Sequence, residues 1–248
     1  MNAREFYAHL APRYASLTGV TPAAGVDRQL ASLVGRLGIK RVVDVACGSG
    51  KHAAALVSLG VATVGVDASI EMLRAAKKCE RGIWLIAGDM QHVGNFLRPG
   101  WDAVLCLGNS LPHLLSQKSL LATLKGFWQL LSPGGHAILQ LLNYPLLIAK
   151  NERIVAVTRS QDSVFVRFND YLGRAVRFNV LEIHWSDTGV EHRLISTMLK
   201  PYAPDEVLEA LRRTGFVQVG IYSGLGLEPF IPSQSRSAVI IAQRPTAS

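Results

Sequence analysis

The chain has 248 residues, 49% of them hydrophobic and 18% charged, with a formal charge of +8. That balance suits a folded unit with a sizeable core and excludes a disordered chain. Apolar runs such as residues 137–142 are strand length and too short to span a bilayer, and three widely spaced cysteines, Cys47, Cys79 and Cys106, suit neither a disulfide framework nor a zinc site.

Arg4, Glu5 and His9 interrupt the apolar residues of the N-terminus, so no secretory signal is read there and a reducing cytoplasm is the expected setting. From Arg41 the pattern alternates strand and helix. A strand over 41–46 is followed by a helix over 51–59 that stops at Gly60, then a strand over 62–66 with Asp67 at its tip. Ser69 caps a helix running to about Lys78, with Glu71 in its first turn. Strands over 83–87 and 102–107 follow, then a helix near 118–131. Pro133-Gly134-Gly135 predicts a tight turn into a strand over 136–142. Strands separated by helices of about ten residues imply right-handed crossovers and a parallel sheet.

Past Arg153 the period changes. Residues 164–171, 174–185 and 190–199 alternate apolar and polar side chains around turns at Gly173 and Asp187-Thr188-Gly189, the mark of antiparallel hairpins. A helix over 204–213 and two strands, 216–222 and 237–242, close the chain. The pattern predicts an α/β fold whose mostly parallel sheet is interrupted by antiparallel strands over 151–200 and resumes over 201–248.

The most informative stretch is Val42-Val43-Asp44-Val45-Ala46-Cys47-Gly48-Ser49-Gly50-Lys51, a buried strand that turns through two glycines into a helix. Gly48-x-Gly50-x-x-Ala53 fits a dinucleotide loop, in which backbone approaches a pyrophosphate at a helix N-terminus. Asp44 argues against that cofactor, because a carboxylate beside a pyrophosphate repels it. S-adenosylmethionine (SAM), with a free amino group and a sulfonium, suits it better. Ligands in open parallel sheets bind beyond the carboxyl ends of the strands. Asp44, Gly48, Gly50, Asp67, Asp89 and Asn109 all fall at such ends. Asp67 is placed to accept the hydroxyls of an adenosine ribose. Asp89 is placed to meet the adenine amino group, and Met90 to pack on the ring.

These residues resemble the class I SAM-dependent methyltransferases over nearly the whole chain. The resemblance rests on the glycine loop, Gly65-Val66-Asp67-Ala68-Ser69-x-x-Met72-Leu73, Gly88-Asp89-Met90 and Leu131-Ser132-Pro133-Gly134-Gly135. It adds Ala46, Ala68 and Met72 to the expected cofactor contacts. Cys106-Leu107-Gly108-Asn109-Ser110-Leu111-Pro112-His113 is similar to a stretch of glycine and glycine/sarcosine N-methyltransferases, which implies that Leu107, Asn109, Ser110 and His113 surround the methionine and sulfonium end of SAM. Tyr7 or Tyr14 is expected to close over the cofactor. The hairpin insertion resembles the lid of that group and of sugar-amine N,N-dimethyltransferases. The resemblance implies an α/β, Rossmann-like seven-stranded, mostly parallel sheet with a reversed C-terminal hairpin and an inserted antiparallel β lid, divided into a SAM-binding unit over 1–150 and 201–248 and a substrate-side lid over 151–200. One departure stands out: Leu142 occupies the place of a substrate-binding arginine ahead of Asn143-Tyr144, so a carboxylate substrate would need Arg174, Arg177 or Arg193 from the lid.

The expected activity is methyl transfer from SAM to a small-molecule acceptor, an amine favoured, with no metal and with His113, Asn143 and Tyr144 as orienting or proton-accepting groups. An RNA-modifying methyltransferase and a SAM-binding protein without catalysis are the alternatives. Nucleic acid is disfavoured because residues 151–200 carry seven basic against six acidic residues, and the helix bearing Arg74, Lys77, Lys78 and Arg81 reads as a solvated face. A monomer and a homodimer both remain open.

Overall fold

The computed structural model describes residues 1–18, 28–79 and 82–246; Arg81, assigned above to a basic helix face, lies outside them. The chain opens with helix α1 (Ala3–Leu10), a 3-10 turn (Ala11–Arg13), α2 (Tyr14–Thr18) and α3 (Arg28–Arg36). Strands and helices then alternate: β1 (Arg41–Val45), α4 (Lys51–Ser58), β2 (Ala62–Asp67), α5 (Ile70–Cys79), β3 (Trp84–Ala87), α6 (Val93–Phe96), β4 (Trp101–Cys106), α7 (Gln117–Leu130) and β5 (Leu131–Leu142). After α8 (Tyr144–Ala149) come β6 (Ile154–Arg159), β7 (Ser163–Tyr171), β8 (Val176–Ser186) and β9 (Gly189–Leu199). α9 (Pro204–Arg213), β10 (Val217–Tyr222) and β11 (Ser237–Gln243) complete it.

The main sheet has seven strands in the order β10-β11-β5-β4-β1-β2-β3. β1 through β5 run parallel, and β11 is antiparallel to both β5 and β10, which makes the terminal pair a reversed hairpin. Helices cover both faces, so Val42, Val43 and Val45 are fully buried on alternate sides of β1, as expected of a central parallel strand. The caps are written in sequence. Ser116 and Ser119 close a capping box on α7, and α9 starts at Pro204 with Asp205 and Glu206 in its first turn and Arg212 and Arg213 in its last.

The second sheet is an antiparallel meander, β6-β7-β8-β9. Phe165, Val180 and Ile195 from it bury against Phe6, Leu10 and Leu17 of α1 and α2. Burying these side chains against one another holds the meander and the N-terminal helices together as a roof near the carboxyl ends of the main sheet.

The structure departs from the sequence reading in its minor elements and at β5. β6, α8 and the helices α2, α3 and α6 were not expected. β5 begins at Leu131, and its register with β4 jumps from Trp101↔Leu131 to Ala103↔His136. The Pro133-Gly134-Gly135 turn is therefore an irregularity inside the strand, with Gly134 at φ 79° and its N–H bonded to the carbonyl of Arg244 at 3.0 Å.

Candidate active site

The loop after β1 is built from three left-handed residues, Ala46 (φ 57°), Gly48 (φ 56°) and Gly50 (φ 77°). A Cβ on Gly50 would stand 2.9 Å from Ala76 Cβ on α5, so this glycine is required both for its backbone and for the close approach of the two helices. Asp67 at the end of β2 ties the loop down: its Oδ2 accepts the Gly48 N–H and its Oδ1 the Ser69 N–H, both at 2.8 Å. Burial raises the Asp67 pKa, opposed by these N–H donors. Each carboxylate oxygen keeps acceptor capacity beyond that one bond, and Asp67 faces a cavity of about 1120 Å³.

That cavity gathers most of the expected cofactor residues. Ala46, Gly48, Gly50, Asp67, Ala68 and Met72 form one wall, Asp89 and Met90 another, and Tyr14, Leu107, Ser110 and His113 a third. Asp89 also caps the short turn after it, accepting the Gln91 N–H at 2.8 Å. The groups suit SAM: Asp67 offers acceptors for ribose hydroxyls, and a cavity of this size opens beside the glycine loop at the start of α4.

Asp44 does not line the cavity. Its carboxyl is 1% exposed behind the loop, one oxygen has no hydrogen-bond partner, and the Ala53 backbone N–H reaches the group from the first turn of α4. Burial, then the charge of Asp67, pushes its pKa up to about 7. Asn109 is also placed differently from the sequence expectation. Itself left-handed at φ 66°, it donates from Nδ2 to the Tyr144 hydroxyl at 2.8 Å and accepts the Leu142 N–H at 2.9 Å. It lines a second, smaller cavity of about 230 Å³.

The two cavities adjoin and share Tyr7, Tyr14, Thr18, Gly108, His113 and Arg167. At the boundary the Tyr7 hydroxyl and His113 Nε2 are 3.2 Å apart, with the rings edge to face at 5.4 Å. His113 Nδ1 is buried without a partner. Burial lowers the His113 pKa to about 4, so the imidazole is neutral at neutral pH. Burial likewise holds the Tyr7 phenol well above its usual pKa.

Two of the three expected catalytic residues lie off this boundary. Asn143 is 2% exposed and donates from Nδ2 to the carbonyls of Pro232 and Ser235 at 2.9 and 2.8 Å, anchoring the segment before β11. Tyr144 is fully buried behind Asn109. Neither lines a cavity wall, because α8 turns the chain away just after β5. The lid arginines named from sequence also point elsewhere: Arg177 pairs with Asp170 at 3.2 Å, and Arg174 and Arg193 are exposed. Arg167 and Asn169 of β7 line the small cavity instead.

Comparison with known proteins agrees with this architecture. Residues 42–135 match the family described as a methyltransferase domain. The chain is 36% identical over 115 residues to the glycine/sarcosine N-methyltransferase of Aphanothece halophytica, a match covering 45% of this chain and 43% of that protein; the chain thus spans under half the length of this curated relative. Among solved structures, an S-adenosylmethionine-dependent methyltransferase from Clostridium acetobutylicum superposes with a TM-score of 0.79 at 15% identity, covering 96% of this chain and 99% of the other. The sugar N-methyltransferase KedS8 from Streptoalloteichus superposes with a TM-score of 0.72 at 23% identity, covering 92% and 89%. The matched segment holds the glycine loop, Asp67 and the His113 turn, and nearly the whole chain superposes on these structures. Residues 42–135 thus match a methyltransferase domain, and the chain as a whole has the fold of solved SAM-dependent methyltransferases.

Proposed function

We propose that the chain transfers the methyl group of SAM to a small-molecule amine. The observation that carries this reading is the pair of adjoining cavities with the Tyr7–His113 contact at their shared wall. The names of the relatives, a glycine/sarcosine and a sugar N-methyltransferase, favour nitrogen as the acceptor atom.

Bound SAM would supply an activated methyl on a sulfonium, and the reaction then needs alignment and dryness more than acid–base power. The large cavity would hold the cofactor, with Asp67 on the ribose and Leu107 and Ser110 toward the methionine end. The small cavity would hold the acceptor. His113, neutral at physiological pH, can orient an uncharged amine by a hydrogen bond. Asn109 and Tyr144 act one step back, fixing the loop after β4, and Asn143 fixes the segment before β11.

Residues 151–200 would serve as the substrate-side lid and residues 1–150 and 201–248 as the cofactor-binding unit. Support for this division comes from the meander forming a sheet of its own while β10 and β11 return to the main sheet. Among the described residues no helix is long and apolar enough to cross a membrane.

The test is calorimetric titration with SAM and S-adenosylhomocysteine (SAH), followed by an acceptor screen with methyl-labelled SAM over amines, phenols and RNA. Binding of both nucleosides with label transferred only to amines is expected. Binding without transfer to any acceptor would leave a SAM-binding protein, and label in RNA would move the activity to a different class.

A further inference from the structure

Arg167 and Asn169 stand two residues apart on β7, on the strand face that also carries Phe165 into the cluster beneath α1 and α2. Both line the small cavity. Among the described residues, no ion pair or hydrogen bond includes the Arg167 side chain, and its Nε is buried without a partner. Asn169 is 1% exposed, and neither its Nδ2 nor its Oδ1 makes a well-formed hydrogen bond. The Tyr171 phenol oxygen lies where it can accept weakly from this amide, while its hydroxyl donates to the Glu152 carbonyl at 2.6 Å.

A buried amide without a well-formed hydrogen bond, and a half-buried guanidinium without a carboxylate whose Nε is buried and unpartnered, are costly to keep unless a ligand completes them. Among the described residues lining the small cavity none is an Asp or Glu, so no carboxylate among them pairs with an ammonium or neutralises Arg167. The neighbouring phenols, Tyr7 and Tyr14, are held neutral by burial. One fixed cation beside amide and hydroxyl donors matches a single planar anion, the geometry of guanidinium with carboxylate. A phosphate would bring up to two negative charges to one cation. The volume, about 230 Å³, corresponds to roughly eight waters at their liquid density, which limits the enclosed part of the ligand to a small organic acid.

We infer that Arg167 and Asn169 form a carboxylate subsite in the acceptor cavity, so that the methyl acceptor is a small amine bearing a carboxylate. This rests on the methyltransferase reading and narrows its substrate class. It also answers the loss of the arginine expected at Leu142: the cation enters from the roof strand rather than from the end of β5. Arg167 borders the cofactor cavity too, so the rival source of the same chemistry is the carboxylate of SAM itself.

The experiment separates the two. Wild type, Arg167→Met, Arg167→Lys and Asn169→Leu are first titrated with SAH, then their SAH complexes are titrated with acetate, butyrate and benzoate beside acetamide, butyramide and benzamide. At least one carboxylate is expected to bind wild type in preference to its amide, and Arg167→Met to weaken that carboxylate about thirtyfold with SAH affinity within threefold. Asn169→Leu should weaken it less, and Arg167→Lys should retain part of the preference. A thirtyfold loss of SAH affinity in Arg167→Met, with an unchanged thermal midpoint, would assign the guanidinium to the cofactor and overturn the inference. Equal binding of acids and amides by wild type, or no binding of either, overturns it as well. Failure of wild type to bind SAH is a separate result in the first titration and removes the reading beneath it.

Discussion

The Asn109 carboxamide bridges two elements: it donates to the Tyr144 hydroxyl at 2.8 Å and accepts the Leu142 N–H at 2.9 Å. Gly108 and Asn109 are consecutive left-handed residues, at φ 69° and 66°. Asn tolerates that conformation better than most side chains, and here both ends of its amide are spent holding it. Tyr144 is thus a positioning residue for the loop that carries Ser110 and His113. Tyr144→Phe leaves a buried donor without its acceptor, and a loss of about 1–2 kcal/mol in stability is expected. Urea unfolding reads this directly. An unchanged stability with a raised acceptor KM would instead mean that the hydroxyl meets the substrate.

Much of the fold was legible because its signals are local. Buried runs such as Val42–Val45, the Ser69 cap and the acidic start of α9 each announce an element without knowledge of its neighbours. The place of Asp67 was legible for the same reason, at a strand tip a fixed reach from the glycines. Asn143 was not: its carbonyl partners, Pro232 and Ser235, are distant in sequence and adjacent only after β11 pairs with β5. Arg167 was hidden by β7 itself. Val164, Val166 and Phe168 alternate on one face, and hydrophobic periodicity would turn that face inward. The side that meets α1 and α2 carries Phe165, Arg167 and Asn169, polar where a cavity rather than a core lies beneath it.

Ala46 sits left-handed at φ 57°, a conformation that costs a residue with a Cβ about 1–2 kcal/mol. Glycine there would relieve the strain but would add roughly 0.4–1 kcal/mol of unfolded-state entropy. The net expectation for Ala46→Gly is a gain near 0.5–1 kcal/mol, seen as a rise of about 1–4 °C in Tm. A fall in Tm would show that the methyl group makes contacts worth more than the strain it causes.

Asp44 sets a pH dependence of unusual sign for a carboxyl. Burial first, and the charge of Asp67 second, raise its folded pKa from 3.8 to about 7. Between those values the unfolded chain has released the proton and the folded chain keeps it, so stability falls as pH rises through that window and levels off above it. Asp44→Asn keeps an acceptor for the Ala53 N–H and cannot ionise. Its stability relative to wild type should grow from pH 4 to pH 7 and then hold constant. Parallel curves for the two proteins, measured by denaturant unfolding without ligand, would show that Asp44 ionises as an ordinary carboxyl.

His113 works in the opposite direction. Burial lowers its folded pKa from 6.5 to about 4, so on acidification the unfolded chain takes up a proton that the folded chain refuses. The stability that comes from keeping the ring neutral is present above pH 6.5 and lost between there and pH 4, by roughly 3 kcal/mol at 1.4 kcal/mol per pH unit. His113→Gln should flatten that slope whatever its absolute stability. In the proposed reaction the neutral imidazole orients the amine, and its removal should lower kcat by about a hundredfold, with SAH affinity little changed because Asp67 and the glycine loop remain. A flattened slope without loss of kcat would leave His113 a structural partner of Tyr7. A loss of SAH affinity equal to the loss in rate would place it on the cofactor rather than on the acceptor.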